Sequence, residues 1–199
     1  MSQPVTLRQL SGLPAEPAPL SECALVLVDA QNTYRSGVMA LTGIEPALDE
    51  CVRLLARARA LKIPVIHIQH DAGPGSPYDI RADIGAIADK VAPVEGEAVV
   101  VKNYPNSFVG TDLDARLKAV GATKLVIAGF MTHMCINSTS RGAFNLGYAV
   151  TVPASATATR PLPAADGSTL AAESVQAVAL AALGDLFAVV VPTVAGIRD

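Results

Sequence analysis

The chain has 199 residues, of which 51% are hydrophobic and 17% are charged. This length predicts one domain that can bury a sizeable core without disulfide bonds. The 15 Lys and Arg against 18 Asp and Glu give a net charge of −3, which argues against a nucleic acid as the main partner. Because no apolar run reaches the roughly 18–20 residues of a membrane span, we expect no membrane association.

The N-terminus and the cysteines bear on the cellular compartment. The first ten residues contain no charged segment followed by an apolar one, which argues against a signal peptide. Cys23, Cys51 and Cys135 are too few and too scattered for a disulfide framework. We therefore expect a reduced, cytoplasmic protein. A mean hydropathy of +0.39 is high for a small monomer and favours an oligomer that buries apolar surface.

The first half of the chain alternates between apolar runs and polar segments. Residues 1–22 contain four prolines and no clear period, which predicts a surface arm ahead of a single domain over residues 23–199. The β-branched run at 23–29 predicts a buried parallel strand. Apolar residues within 48–55 recur at i, i+3, i+4 and i+7, the spacing of an amphipathic helix.

The rest of the chain continues the alternation. A long loop rich in Gly and Pro is predicted at 71–95, and loops of this length are usually functional or mobile. Strands are predicted at 64–70, 97–102, 124–129, 149–153 and 187–192, and helices at 111–120, from near His133 to Gly147, and at 169–183. Alternating strands and helices form βαβ units, which predicts an α/β fold with three layers, α/β/α, around a six-stranded, mostly parallel sheet.

Ligands of such sheets bind at the carboxyl ends of the strands. Asp29 ends the first predicted strand, Lys102 ends the third, and Cys135 follows the fourth. Each also fits a structural role: the aspartate as a cap or turn residue, the lysine as a solvated side chain, and the cysteine as inert packing. Their joint position at one edge of the sheet makes them a candidate active site.

Cys135 is predicted to lie in the first turn of a helix, where free N–H groups and the helix dipole favour an anion and lower a thiol pKa. Lys102 would favour the thiolate further. Nearby backbone amides can hold an oxyanion. Asp29 can accept the thiol proton and later pass it to a leaving amine. These roles suit acyl transfer through a thioester.

The sequence resembles the isochorismatase-like cysteine hydrolases. Residues 25–32 are similar to the strand-one motif of that family, 102–111 to its lysine segment, 129–135 to its nucleophile turn and 138–148 to the helix that follows. The motifs occur in order within residues 23–160. Each motif alone is weak, but their combination is specific.

The resemblance implies a Rossmann-like sheet of six strands and assembly as a homodimer or homotetramer. It implies that Asp29 acts as general base and then acid, that Lys102 tunes the site electrostatically, and that Cys135 is the nucleophile. The oxyanion would be held by the backbone N–H groups of Met131 and Cys135. The peptide bond between Phe130 and Met131 is expected to be cis.

A metal or nucleotide cofactor is not expected. Nicotinamidases of this family hold a metal through an Asp-x-His pair after the second strand, and no such pair occurs at 67–73 here. A site built from His70 and Asp71 would lack a second histidine nearby. The segment 73–76 lacks the spacing of a dinucleotide-binding loop.

Three further residues are candidates for binding substrate. Tyr34 and Phe108 would form aromatic walls, with core packing as the alternative. His70 would donate a hydrogen bond to substrate, with a capped or surface histidine as the alternative. His133 precedes Cys135 by two residues, so their side chains point apart on a helix, and the base role stays with Asp29.

These observations predict a metal-free hydrolase that cleaves a C–N bond of a small amide, ureide or carbamoyl compound. Isochorismatases proper cleave a vinyl ether without a cysteine nucleophile, so Cys135 favours C–N hydrolysis. Two alternatives stay open: vinyl-ether hydrolysis of an isochorismate-like acid, and an inactive relative that serves as a scaffold or a redox-sensing thiol.

Overall fold

The computed structural model describes residues 4–199 and confirms an α/β fold around a mostly parallel sheet. Its strands are β1 (Ala24–Val28), β2 (Val65–His70), β3 (Ala98–Lys102), β4 (Lys124–Phe130), β5 (Ala149–Pro153), β6 (Thr157–Ala158), β7 (Leu162–Pro163), β8 (Thr169–Leu170) and β9 (Val189–Val191). Its helices are α1 (Leu7–Leu10), α2 (Ile44–Ala60), α3 (Leu113–Ala119), α4 (Asn137–Asn145) and α5 (Ala172–Gly184).

The central sheet has the strand order β3-β2-β1-β4-β5-β9, with every neighbouring pair parallel. β5 pairs with β4 only at residues 124–126, so the far end of β4 is free to pair with β6 at Gly129 and Phe130. The prediction of six strands was one short, because a two-residue strand leaves no periodic pattern in the sequence. β7 and β8 form a separate antiparallel hairpin.

β1 shows how the sheet divides the core into two halves. All five of its residues are buried, and successive side chains point to opposite faces. Leu25 and Leu27 join the cluster that includes α2, whereas Ala24, Val26 and Val28 join the cluster that includes α3 and α4. Helices cover both faces, so the three predicted layers are confirmed and the strand is apolar throughout.

Several element boundaries differ from the prediction. α5 begins at Ala172 and not at 169, because Thr169 and Leu170 belong to the β7–β8 hairpin. The loop at 71–95 contains two short 3₁₀ turns, Asp83–Gly85 and Asp89–Val91. Within residues 4–199, no helix is both long enough and apolar enough to cross a bilayer.

The N-terminal segment packs against the end of α5. The buried Arg8 side chain donates to the Pro14 carbonyl at 2.6 Å and to the Leu186 carbonyl at 2.9 Å. The Arg8 N–H donates to the Asp185 carbonyl at 2.7 Å. The short helix α1 was not predicted, and Thr6 stabilises it through a capping box. The domain boundary after residue 22 stays a prediction.

Candidate active site

Three side chains from the carboxyl edge of the sheet meet in the interior. Asp29 follows β1, Lys102 ends β3 and Cys135 follows β4, with exposed fractions of 0%, 1% and 5%. The Lys102 ammonium lies 2.7 Å from Asp29 Oδ2 and donates to Cys135 Sγ at 3.4 Å. The structure thus brings the three predicted residues together, and their burial excludes a solvated lysine. We call them the Asp29–Lys102–Cys135 cluster.

The backbone of Asp29 fixes its side chain at this edge. Its N–H still donates to the Ile68 carbonyl at 2.9 Å, which extends the β1–β2 ladder by one bond. Its φ of +48° lies in the left-handed region, which aspartate adopts more readily than most residues. Asp29 is therefore a turn residue, and its carboxylate nevertheless pairs with Lys102.

β4 reaches the cluster because Gly129 allows it to approach β1 closely. Gly129 has a φ of +115°, and a Cβ at this position would lie 2.0 Å from the carbonyl oxygen of Val28. No side chain fits there. The peptide bond that follows Phe130 is cis, as the resemblance implied.

Cys135 lies in a π-helical turn, which corrects the predicted start of a regular helix near His133. The turn covers Thr132–Ile136, and the Ile136 N–H donates to the Met131 carbonyl five residues back at 3.2 Å. α4 follows directly. A π turn carries one extra residue per turn and is frequent at functional sites, but hydrophobic periodicity does not reveal it.

The electrostatics of the cluster overturn the expected lowering of the thiol pKa. Burial raises the pKa of the Cys135 thiol to about 12, the Asp29 charge raises it as well, and Lys102 opposes both. Burial also raises the pKa of the Asp29 carboxyl against the opposing effect of Lys102. Desolvation therefore outweighs the cation and favours the neutral thiol over the thiolate. A reaction at this sulfur would therefore need a base to remove the thiol proton.

His70 is a further partner of Lys102. Lys102 Nζ lies 2.9 Å from His70 Nδ1. Because an ammonium group has no acceptor lone pair, Nζ donates and Nδ1 accepts, so the imidazole is neutral. In agreement, burial and the Lys102 charge lower the pKa of His70 to about 4. Tyr78 packs edge-on against this ring, with 4.9 Å between ring centroids.

Comparison with known proteins identifies the family. The model of the isochorismatase domain matches residues 23–193. The chain belongs to the isochorismatase family. A secreted isochorismatase effector of Verticillium dahliae is 33% identical over 187 residues, which cover 94% of this chain and 96% of that protein. The crystal structure of an isochorismatase from Pseudomonas putida KT2440 superposes with a TM-score of 0.93 and 36% identity, over 97% of this chain and 99% of that one.

Relatives named as amidohydrolases also match. A ureidoacrylate amidohydrolase from Stutzerimonas stutzeri is 34% identical over 185 residues, which cover 73% of this chain and 75% of that protein. The predicted resemblance is confirmed: the chain is a hydrolase of the isochorismatase family.

The two aromatic residues predicted to bind substrate in this isochorismatase-family hydrolase have different surroundings. Tyr34 is fully buried and packs edge-on against Tyr78 at 5.8 Å. Burial raises the pKa of Tyr34, and the Asp29 charge adds to this effect. Phe108 stacks on Tyr148 with ring centroids 6.0 Å apart. This contact fits core packing, the alternative role given for Phe108 from the sequence.

Gln31 is a residue of the site that the sequence analysis did not single out. Its buried amide accepts from the His70 N–H at 2.8 Å and donates to the His70 carbonyl at 3.0 Å and the Gly85 carbonyl at 2.7 Å. Gln31 therefore holds the His70 backbone from both sides. An amide three residues after the end of a buried strand was the available signal, because a buried amide needs partners for all its polar atoms.

Arg160 is a second residue that the sequence analysis missed. It follows β6 and is half-buried, and its buried Nε has no hydrogen-bond partner among residues 4–199. The neighbouring Thr159 hydroxyl lies 2.5 Å from His133 Nδ1. Burial lowers the pKa of His133, and the Arg160 charge lowers it further. The same charge acts to lower the pKa of Tyr78. The charge of the Arg160 guanidinium thus acts on both His133 and Tyr78, the aromatic neighbour of His70.

The residues considered for a metal site bind other side chains. His70 Nδ1 accepts from Lys102, and the Asp71 carboxylate accepts from Arg81 at 2.9 and 3.0 Å. In the part of the chain that the structure describes, no group of three or more His, Cys, Asp or Glu side chains is placed to hold a metal ion. Metal-free chemistry stays a prediction.

Proposed function

We propose that this protein hydrolyses a C–N bond of a small amide, ureide or carbamoyl compound through a thioester on Cys135. The observation that carries the proposal is the single buried ammonium of Lys102, in contact with both the Asp29 carboxylate and the Cys135 thiol. A base, a nucleophile and a cation within one desolvated site are the groups that acyl transfer needs.

Acylation begins when the Asp29 carboxylate takes the proton from Cys135 Sγ. The thiolate attacks the carbonyl carbon of the substrate, and the carbonyl electron pair moves to oxygen. When the C–N bond breaks, the leaving nitrogen takes the proton back from Asp29 and departs as ammonia or an amine. Lys102 stabilises each anion that forms beside it, first the carboxylate and then the thiolate.

Deacylation repeats the proton transfers with water as the nucleophile. Asp29 takes a proton from the water, the hydroxide adds to the thioester carbonyl, and the C–S bond breaks. The departing sulfur takes the proton from Asp29, which restores the thiol and releases the acid. The raised pKa of Asp29 makes its carboxylate a better base than an ordinary solvated aspartate.

The oxyanion of each tetrahedral intermediate requires donors near Cys135. We propose the backbone N–H groups of Met131, which immediately precedes the π turn, and of Cys135 within it. The Met131 carbonyl accepts from the N–H groups of Met134 and Ile136 at 3.1 and 3.2 Å, and these bonds hold the turn in place. Donors fixed in advance stabilise developing charge without reorganisation.

We propose that the substrate carries an anionic group close to the scissile bond. Arg160 supports this, because its guanidinium is half-buried, has an unsatisfied Nε and acts to lower the pKa of Tyr78 through its charge. The ureidoacrylate named for the relative from Stutzerimonas stutzeri combines a carbamoyl nitrogen with a carboxylate. Tyr34 and Phe108 are proposed as apolar walls, and His70 Nε2 as a donor to substrate.

A substrate panel that measures ammonia and pyruvate separately tests the function. We expect ammonia release from ureido or carbamoyl acids, and no release by Cys135→Ala or Cys135→Ser. Pyruvate release that persists in Cys135→Ala would support vinyl-ether hydrolysis instead. If no substrate turns over and alkylation is not confined to Cys135, the scaffold or redox-thiol alternative would be favoured.

We further propose that the protein is a cytoplasmic homodimer or homotetramer. The edge strand β3 exposes Val99 and Val101 by 38% and 43%, which is apolar surface that a second copy would cover. Sedimentation equilibrium tests the assembly, and fractionation of the producing cells tests the compartment.

A further inference from the structure

We propose that His70 is a positioning residue for Lys102: its Nδ1 accepts a hydrogen bond that holds the Lys102 ammonium between Asp29 and Cys135. The inference rests on the proposed function and gives His70 a task that does not require contact with substrate.

The strand order explains why Lys102 needs such support. Lys102 ends β3, the edge strand, whereas Asp29 follows β1, two strands away. Neighbouring strands lie about 4.8 Å apart, so the lysine side chain has to extend across β2 to reach Asp29. His70 lies on its way: it is the Cα partner of Lys102 in the β2–β3 ladder, with Nδ1 2.9 Å from Nζ.

The ammonium of Lys102 has as many N–H donors as it has close polar partners. A lysine ammonium has three N–H donors. Nζ contacts Asp29 Oδ2 at 2.7 Å, His70 Nδ1 at 2.9 Å and Cys135 Sγ at 3.4 Å. Without the histidine acceptor, one N–H of a buried cation would lose its partner, which is costly in a desolvated site. The amine would then shift to recover a partner, and its contact with the weakest acceptor, Cys135 Sγ, would suffer first.

His70 is itself held firmly. Gln31 hydrogen-bonds both the N–H and the carbonyl of His70, and Tyr78 packs edge-on against the ring. The charged groups that face the ring are Lys102 and Asp71, and Asp71 is paired with Arg81. Contacts to its backbone and to its ring therefore fix the His70 side chain in place. A residue that orients another side chain has to be held rigidly in this way.

Three variants separate the acceptor from the aromatic ring. His70→Asn keeps an acceptor near the Nδ1 position and loses the ring. His70→Leu is nearly isosteric with asparagine and has no acceptor. His70→Phe keeps an aromatic ring beside Tyr78 and also has no acceptor. The readout is the pH profile of Cys135 alkylation by iodoacetamide, mapped by peptide mass, which requires no knowledge of the substrate. Lys102→Met serves as the reference for loss of the cation.

The expected result is slower alkylation of Cys135 at neutral pH by about tenfold in both His70→Leu and His70→Phe, and rates within about twofold of wild type in His70→Asn. The profile of the slow variants should move to higher pH, in the direction of Lys102→Met. Thermal unfolding shows whether each variant is folded. Because two variants lack the acceptor, the comparison can still be made if one of them does not fold.

Unchanged or faster alkylation in the variants without an acceptor would overturn the proposal. Equal slowing in His70→Asn and His70→Leu would overturn it as well, since the ring or its packing would then matter and not the acceptor. A Lys102→Met variant that alkylates like wild type would instead contradict the role of Lys102 in the proposed function. The two failures are thereby distinguishable.

Discussion

Lys102 and Asp29 form an ion pair of 2.7 Å in which both side chains are completely shielded from solvent. A buried pair offers modest net stability when intact, but loss of one partner leaves an uncompensated charge in the interior. Apart from this pair, neither oxygen of Asp29 accepts a hydrogen bond from the residues that the structure describes. The carboxylate is therefore free to receive a proton from the neighbouring thiol.

Breaking this pair is expected to cost both stability and activity. Lys102→Met should lower the free energy of unfolding by about 3–5 kcal/mol, because Asp29 stays buried without its cation. The double variant Asp29→Asn with Lys102→Met should recover most of that loss and stay inactive, because asparagine is neutral and also tolerates the left-handed backbone of residue 29. Urea unfolding checks the stabilities. A double variant no more stable than Lys102→Met would contradict the uncompensated charge as the cause.

Gly129 is expected to tolerate no side chain. In Gly129→Ala, the new Cβ would meet the Val28 carbonyl oxygen at 2.0 Å, and alanine would also be strained at a φ of +115°. Gly147→Ala is the matched control, since Gly147 has a φ of +91° and open space at its Cβ position. Gly129→Ala should be the less stable variant by at least about 2 kcal/mol. Equal stabilities would show that β4 relaxes away from β1 at little cost.

Stability is expected to fall in acid because of Glu97. Burial acts to raise the pKa of Glu97, but hydrogen bonds from Arg59 and His67 outweigh it and lower the pKa to about 2. A carboxyl with a depressed native pKa contributes stability above its unfolded pKa and loses it as pH falls through the native one. The stability that Glu97 contributes should therefore be lost between pH 4.5, its ordinary pKa, and pH 2, close to its pKa in the folded protein.

Glu97→Gln tests this assignment. The variant should be less stable than wild type at neutral pH and should lose less stability across the acid window. Thermal unfolding across this pH range provides the measurement. Parallel stability curves for the two proteins would assign the acid sensitivity to other groups.

Arg160 is expected to select anionic substrates. Arg160→Met should raise KM for a ureido acid about 10- to 100-fold, the range expected when a charged hydrogen bond is lost, with a smaller effect on kcat. The KM of Arg160→Lys should lie between those of Arg160→Met and wild type, because lysine keeps the positive charge and lacks the planar guanidinium. The primary amide analogue of the same acid is the control substrate. An equal rise in KM for that neutral analogue would contradict recognition of the anion.

Much of the fold could be predicted because it depends on local patterns. The apolar run before Asp29 predicted β1, and the spacing of Leu48, Cys51 and Leu55 predicted α2. The convergence of Asp29, Lys102 and Cys135 followed from one rule, that the carboxyl ends of parallel strands share an edge. The cis bond before Met131 came from the family resemblance and not from a local pattern.

The features that escaped prediction depend on tertiary contacts. The pairing of β6 with β4 arises because β5 leaves one side of the end of β4 unpaired, while β1 pairs with the other side. The raised pKa of Cys135 reflects burial by neighbours distant in sequence, which outweighs the opposing charge of Lys102. The acceptor role of His70 depends on its register with Lys102, which no spacing along the chain encodes.

The most direct test of the central claim is the mass of the intact protein, quenched by acid during turnover of a ureido or carbamoyl acid. We predict a transient mass increase equal to the acyl group, located on Cys135 by peptide mapping, together with a burst of released ammonia or amine. Cys135→Ala should show neither the adduct nor the burst. Turnover by Cys135→Ala within a few fold of wild type, or steady hydrolysis without an adduct on Cys135 at any quench time, would contradict a covalent mechanism at this thiol.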